Sequence, residues 1–261
     1  MSRTRRLFLL QCSALALSSS PAILGSAQAS GKSLPEQNTF QSGDLLWPKK
    51  PDSFIPYNSG DPNSPDRVRE QWEKERAEFI KSISQLPQTE YNKQLIARLR
   101  DLTFDQFHAY YTTGLPPGTP APAGNVVGVG HVAIVDRRAD GIELIEAMPN
   151  SGVRRLTYDQ WLAGRQGEKV WHGRVRNFDQ VQRVKIVDEA KRFLTRPYQF
   201  WNFRLDDDSA FYCSKLVWLS VKRALGVAVD NNADPNRTIW LSPKQVLNAA
   251  AILPLFVPDF Y

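Results

Sequence analysis

The chain has 261 residues, 42% of them hydrophobic and 23% charged, with 18 prolines, 15 glycines, 7 tryptophans and two cysteines. Such a composition supplies apolar material for one sizeable core. It excludes a disordered chain, a collagen-like repeat and a disulfide-stapled mini-domain. The formal charge of +6 hints at acidic partners, but it belongs to the whole chain, N-terminal segment included.

Residues 1–29 read as an export signal. Arg3, Arg5 and Arg6 precede an apolar stretch from Leu7 to Leu24, and Ala27-Gln28-Ala29 supplies a small-x-small cleavage pattern. Thr4-Arg5-Arg6-Leu7-Phe8-Leu9 resembles the bacterial twin-arginine signal, so the expected location is periplasmic or secreted. Gln11 before Cys12 is not small, which argues against a lipid anchor there. Beyond the signal no stretch approaches the ~20 apolar residues of a membrane helix, so no stable membrane insertion is expected after processing.

Cleavage after Ala29 takes 33 basic residues to 30 against 27 acids, a balance of +3. No Lys/Arg block interleaved with aromatics remains, so nucleic acid is not an expected partner. Cys12 leaves with the signal. Cys213 is then alone, either a reactive thiol or a small buried hydrophobe.

The mature chain, 30–261, reads as one domain. Gly43-Asp44-Leu45-Leu46-Trp47 is a short strand ended by Pro48. Residues 65–84 form a helix, with Pro65 at a favoured first position and Val68, Trp72, Phe79, Ile80 and Ile83 at helical spacing. A second helix starts near Glu90, and Thr103 caps a further turn through Phe104, Phe107 and Tyr111. From Gly114 to Gly124 the chain is too rich in Pro and Gly for regular structure. The period then changes: Val126–Asp136, Gly141–Met148, Val153–Leu156 and Val170–Val175 read as strands joined by turns. Helices return over Gln180–Leu194 and Cys213–Leu225, and another starts after Ser242-Pro243 and runs into an apolar tail. The class is α+β, a small antiparallel sheet with helices before and after it.

Cys213 stands at the start of its helix, where free backbone N–H groups and the helix dipole favour a thiolate. A nucleophilic thiolate needs a base, and the chain has three histidines: His108, His131 and His172. His131 lies at the mouth of the most apolar strand, after Gly128 and Gly130, where it can meet a helix N-terminus. His108 falls in an aromatic helical segment and reads as packing or surface. His172 serves as base only under a different strand register. The histidines show no metal-ligand spacing, and Asp206-Asp207-Asp208 lacks the glycine and distal glutamate of a calcium loop, so no metal or other cofactor is expected. In Ile142-Glu143-Leu144-Ile145-Glu146-Ala147 alternation puts Glu146 on the apolar face with Ile142 and Leu144. A carboxylate there needs a partner, and orienting an imidazole would provide one. Glu143 faces the other way and reads as solvated.

Gly43-Asp44-Leu45, Gly130-His131-Val132-Ala133-Ile134-Val135, Glu146-Ala147 and Tyr212-Cys213-Ser214, in that order, look like the permuted papain-like amidases. This is the YaeF/YiiX group of the NlpC-type cell-wall peptidase superfamily, in which the cysteine helix follows the strands instead of preceding them. The resemblance covers residues 42–48 and about 128–250. It implies a circularly permuted papain-like fold with Cys213 as nucleophile, His131 as base and Glu146 as orienting residue. Arg196-Pro197-Tyr198 is similar to a Pro-Tyr step of the superfamily, so Tyr198 or Tyr212 would line the site or hold an oxyanion. The family often has Glu two places after the cysteine, where this chain has Lys215.

The long interval between the first strand and His131, about 53–126, reads as a helical and Pro-rich insertion, a candidate lid or specificity element. The function so implied is that of an exported hydrolase cleaving amide bonds, with cell-wall peptides as the substrate class. Two alternatives stay open: a lipid or acyl-ester hydrolase or acyltransferase, with Phe200-Trp201-Asn202-Phe203 lining an acyl pocket or simply packing the core, and a non-catalytic wall-binding module.

Overall fold

The structure is a computed structural model that describes residues 33–49, 65–114 and 130–258. The expected export signal, residues 115–124 of the Pro-rich stretch and the first residues of the strand expected from Val126 lie outside the described residues. In chain order the elements are β1 (Leu45–Lys49), α1 (Pro65–Ser84), α2 (Glu90–Asp101), α3 (Phe104–Thr113), β2 (Ala133–Arg138), β3 (Gly141–Met148), β4 (Gly152–Thr157), α4 (Tyr158–Ala163), β5 (Lys169–Val175), α5 (Gln180–Arg192), α6 (Cys213–Leu225), α7 (Pro243–Leu247) and β6 (Ile252–Phe256). The strands form one sheet in the order β4-β3-β2-β1-β5-β6, with every neighbouring pair antiparallel. This is the expected α+β class.

Strand alternation divides the side chains between two cores. Ile134 and Ile145, on strands packed against α5 and α6, join the larger apolar cluster together with Leu45, Trp47 and Trp171. Leu46, Ala133, Val135, Leu144 and Val170 face the other way and close on Phe40, Tyr158 and Trp161. The register keeps like with like, pairing Leu45 with Ile134 and Ile134 with Ile145. Since a one-residue slip would exchange the faces, two different cores fix the register strongly.

Three elements differ from the sequence reading. β1 continues through Pro48 to Lys49. Its pairing with β2 stops at Leu46, so the missing Pro48 N–H faces no β2 partner. Helix α4 escaped notice because six residues carry too little periodicity, although Thr157 and Gln160 form a capping box. The apolar tail contributes β6, an edge strand on β5, where Pro254 is tolerated.

The inserted helices share the main core. Trp72 of α1 is fully buried, stacks on Phe107 of α3 at 5.1 Å, and lies 6.0 and 6.4 Å from Trp201 and Trp240. Phe200, Trp201 and Phe203 also gather around Trp240, at 4.7 to 4.9 Å between ring centroids, so they are principally core. Truncating Trp72 should therefore damage the whole domain. Trp72→Ala is expected to cost about 3–5 kcal/mol, read from the midpoint of equilibrium urea unfolding; no loss would mean that the helices pack independently.

Candidate active site

One end of the sheet gathers the chemistry. β1 and β3 end there, at Lys49 and Met148, while β2, β4 and β5 begin there. A cavity of about 610 Å³ opens at this end, with Cys213, His131, Tyr111, Tyr198 and Arg154 in its wall. His131 precedes β2 by two residues, in phase with Ala133 and Val135. Glu146, in phase with Leu144, is fully buried beneath it.

Glu146 accepts five N–H groups. His131 Nε2–H donates to Oε2 at 2.8 Å, Trp161 Nε1–H at 2.9 Å and Arg165 Nη2–H at 2.8 Å. Arg154, opposite Glu146 on β4, donates to Oε1 from Nε at 3.0 Å and from Nη2 at 2.7 Å. Burial works to raise the carboxyl's pKa, but the His131 hydrogen bond and charge, with Arg165 and Arg154, hold it well below the usual carboxylate range. An ionised, fully bonded carboxylate fixes the His131 ring and leaves Nδ1 for the thiol.

His131 shares the cavity wall with Cys213, whose charge acts on the ring. Burial favours the neutral ring, yet the Cys213 charge and the Glu146 hydrogen bond and charge together raise its pKa to about 9. Cys213, a free and buried thiol, is the first residue of α6. The N-cap residue Tyr212 makes no side-chain cap, so no N-cap side chain takes the first-turn amides near Sγ.

Tyr198 lies beside the thiol because Pro197 and Gln199 are bonded to Phe211, through Phe211 N–H to Pro197 O at 3.0 Å and Gln199 N–H to Phe211 O at 2.9 Å. It lines the cavity, and burial and then the Cys213 charge drive its phenol well above the usual value. The expectation for Tyr212 is corrected. Its ring is buried outside the cavity lining, and its hydroxyl accepts Leu241 N–H at 3.2 Å. The tyrosine that reasoning from sequence missed is Tyr111 of α3, which lines the cavity together with Cys213. Nothing in a helical aromatic pattern distinguishes it from core.

The remaining candidates sit elsewhere. His172 is buried in β5, its Nε2 2.8 Å from Asp44 Oδ2, and Arg174 donates to both oxygens of that carboxylate. Burial alone would raise the Asp44 pKa, but Arg174 and His172 lower it. His108 packs against Phe104, and burial lowers its pKa. Glu143 meets Arg138 and Arg155 on the solvated side. Asp207 accepts Ser209 N–H and Asn202 Nδ2–H in the turn before α6. Lys215 is fully buried, its Nζ 5.5 Å from the Phe211 ring centre, and burial lowers its pKa to about 7. Among the described residues no three His, Cys, Asp or Glu side chains converge as a metal site requires.

A thiol at a helix start, an imidazole beside it and a buried carboxylate behind the imidazole, all on an antiparallel sheet, are the parts of a papain-like cysteine hydrolase. Residues 120–252 match the family of permuted papain-like amidase enzymes, YaeF/YiiX (C92), and the chain belongs to that family. It is 38% identical over 78 residues to the uncharacterised protein YiiX of Escherichia coli K12, a stretch covering 30% of this chain and 38% of YiiX. The crystal structure of the metalloprotein YiiX from Escherichia coli O157:H7 aligns at 17% identity with a TM-score of 0.46, covering 85% of this chain and 98% of that one.

Two measurements follow from the electrostatics. By NMR the His131 ring should titrate near pH 9, and Cys213→Ala should lower that midpoint, since burial then acts against less support. An unmoved midpoint would refute the contact. Glu146, depressed in the fold, contributes stability that is present above its ordinary pKa of 4.5 and lost as the pH falls towards the folded value. Glu146→Gln should therefore weaken the protein at pH 7 yet flatten its loss of stability in urea titrations between about pH 5 and 2.

Proposed function

We propose that the protein is an exported cysteine hydrolase that cleaves amide bonds in cell-wall peptides, with Cys213, His131 and Glu146 as its triad. The observation that carries the reading is the placement of Cys213 and His131 in the wall of one cavity of substrate size, with His131 hydrogen-bonded to the buried Glu146. Membership in an amidase family supports the bond type. The N-terminal sequence supports export and, through it, the substrate class.

In this mechanism the Cys213 thiol has given its proton to His131, and the thiolate attacks the amide carbonyl carbon. The carbonyl π electrons move to oxygen, where backbone N–H groups at the start of α6 and the Tyr198 hydroxyl provide stabilisation. The intermediate collapses as His131 protonates the leaving amine, leaving a thioester on Sγ. His131 then takes a proton from water, the hydroxide attacks the thioester, and the carboxylic acid departs with the thiolate restored. Glu146 stays ionised throughout, holding the ring and balancing the imidazolium.

Alkylation of Cys213 by iodoacetamide as a function of pH tests the pair. Wild type should label quickly near neutral pH, and His131→Ala should lose most of that rate; equal, slow labelling in both would overturn the reading. With a panel of wall peptides and acyl esters, amine release by wild type should exceed that of Cys213→Ala by a factor of at least about 10². Turnover confined to the esters would favour acyl hydrolysis instead.

A further inference from the structure

The charged lining of the cavity is out of balance. Besides His131 and Cys213, its wall carries Lys49, Arg154, Arg165 and Glu168. Lys49 and Glu168 are of opposite sign, and the buried Glu146 behind the wall neutralises only one of the two guanidinium groups. Among the described residues one positive charge is left over, whether the Cys213 proton sits on sulfur or on His131. A cleft with low-dielectric walls focuses such a charge on whatever enters it.

The two arginines differ in what they leave for a ligand. The Arg165 side chain is 9% exposed and its Nη1 donates to Trp161 O at 2.9 Å, so it is engaged inside the wall. The Arg154 side chain is 34% exposed. Its Nε and Nη2 donate to Glu146 Oε1, at 3.0 and 2.7 Å, while Nη1 makes a long 3.4 Å contact with Ser151 Oγ. The backbone beneath it is pinned. Val153 N–H donates to Arg196 O and Thr195 N–H to Val153 O, both at 2.8 Å. Gly152 has a φ of +65°, and a Cβ there would collide with Arg196 O. Arg154 thus stands in the cavity wall with one side of its fork on Glu146 and the other nitrogen open to the cavity.

We propose that Arg154 is a specificity-determining residue, whose Nη1 N–H groups bind a substrate carboxylate carried by the part that leaves as the amine. The proposal rests on the reading of Cys213 and His131 as an amide-cleaving pair and adds a substrate class to it. That class is amides whose leaving amine is an amino acid or peptide with a carboxylate close to the new nitrogen. The side of the scissile bond follows from connectivity. His131 protonates the leaving amine, and His131 and Arg154 hold opposite oxygens of the same Glu146 carboxylate. Imidazole and guanidinium are separated by two hydrogen bonds and the width of one carboxyl group, which puts the guanidinium on the leaving-group side. Arginine suits the task, because it stays charged and its planar N–H donors match a carboxylate.

Matched probes read the preference in the full chain. Acetyl-alanyl-alanine and its C-terminal amide differ only in the charge near the leaving nitrogen, as do acetyl-alanyl-glutamate α-amide and its glutamine counterpart. In wild type, kcat/KM for amine release should favour the acid of at least one pair by about 10- to 100-fold. Arg154→Gln should bring that ratio near one. Arg165→Gln also takes a donor from Glu146, so it should slow acid and amide alike and keep the ratio. Should Arg154→Gln fail to fold, Arg154→Lys, which keeps a charge beside Glu146, should still lose most of the preference. Calorimetry on Cys213→Ala reads binding without turnover: the acid should bind about 10-fold more tightly than the amide, and adding Arg154→Gln should equalise the two. No preference in either pair, a preference that survives Arg154→Gln, or one that falls equally in Arg165→Gln overturns the proposal. An acid that binds more tightly yet is never cleaved leaves the carboxylate site standing and removes the hydrolase reading; cleavage without preference does the reverse.

Discussion

The buried charge of Glu146 is the constraint around which the site is organised. A carboxylate without solvent is costly unless its lone pairs are filled and its charge is balanced. Here Arg154 from β4, Trp161 from α4, Arg165 just beyond α4 and His131 ahead of β2 meet that demand. These donors tie β2, β3, β4 and α4 to one point. Holding the carboxylate with two guanidinium groups also settles its protonation state, so His131 faces a fixed negative charge. The orientation of the ring, and with it the direction of the thiol, follows.

Much of this was legible in the sequence because it depends on local rules. α1, β3 and α6 have the boundaries that period, Pro65 and Gly226 suggest. The position of Glu146 followed from strand alternation and the cost of an unpaired buried charge. What escaped depends on long-range packing. α4 is too short to show a period, yet it supplies Trp161 to Glu146. Tyr111 and Tyr212 are both aromatic residues beside apolar neighbours. Only the packing of α3 against the turn of chain near Phe200 decides which one lines the cavity. Arg154 and Arg165 carry no local signal, because nothing near them in sequence shows that β4 pairs Arg154 directly with Glu146.

The interval between β1 and β2 also changes character in three dimensions. Read linearly, it interrupts a family pattern. Folded, its helices bury Trp72, Leu99 and Phe107 against the aromatic residues that precede and follow α6. The core beneath the nucleophile is therefore built from both sides of the interruption. That is the physical reason a helix so distant in sequence can place Tyr111 in the same cavity wall as Cys213.

The pair formed by His172 and Asp44 repeats the His131–Glu146 motif almost atom for atom, down to a 2.8 Å contact through Nε2 and a guanidinium on the carboxylate. It sits along the same face of the same sheet, but it has no thiol. There it works as a rivet between β1 and β5. One fold thus contains both an experiment and its control: an oriented imidazole is cheap to build and common to both ends of β1, so it marks nothing by itself. Only the end that also receives the first turn of a helix acquires a nucleophile.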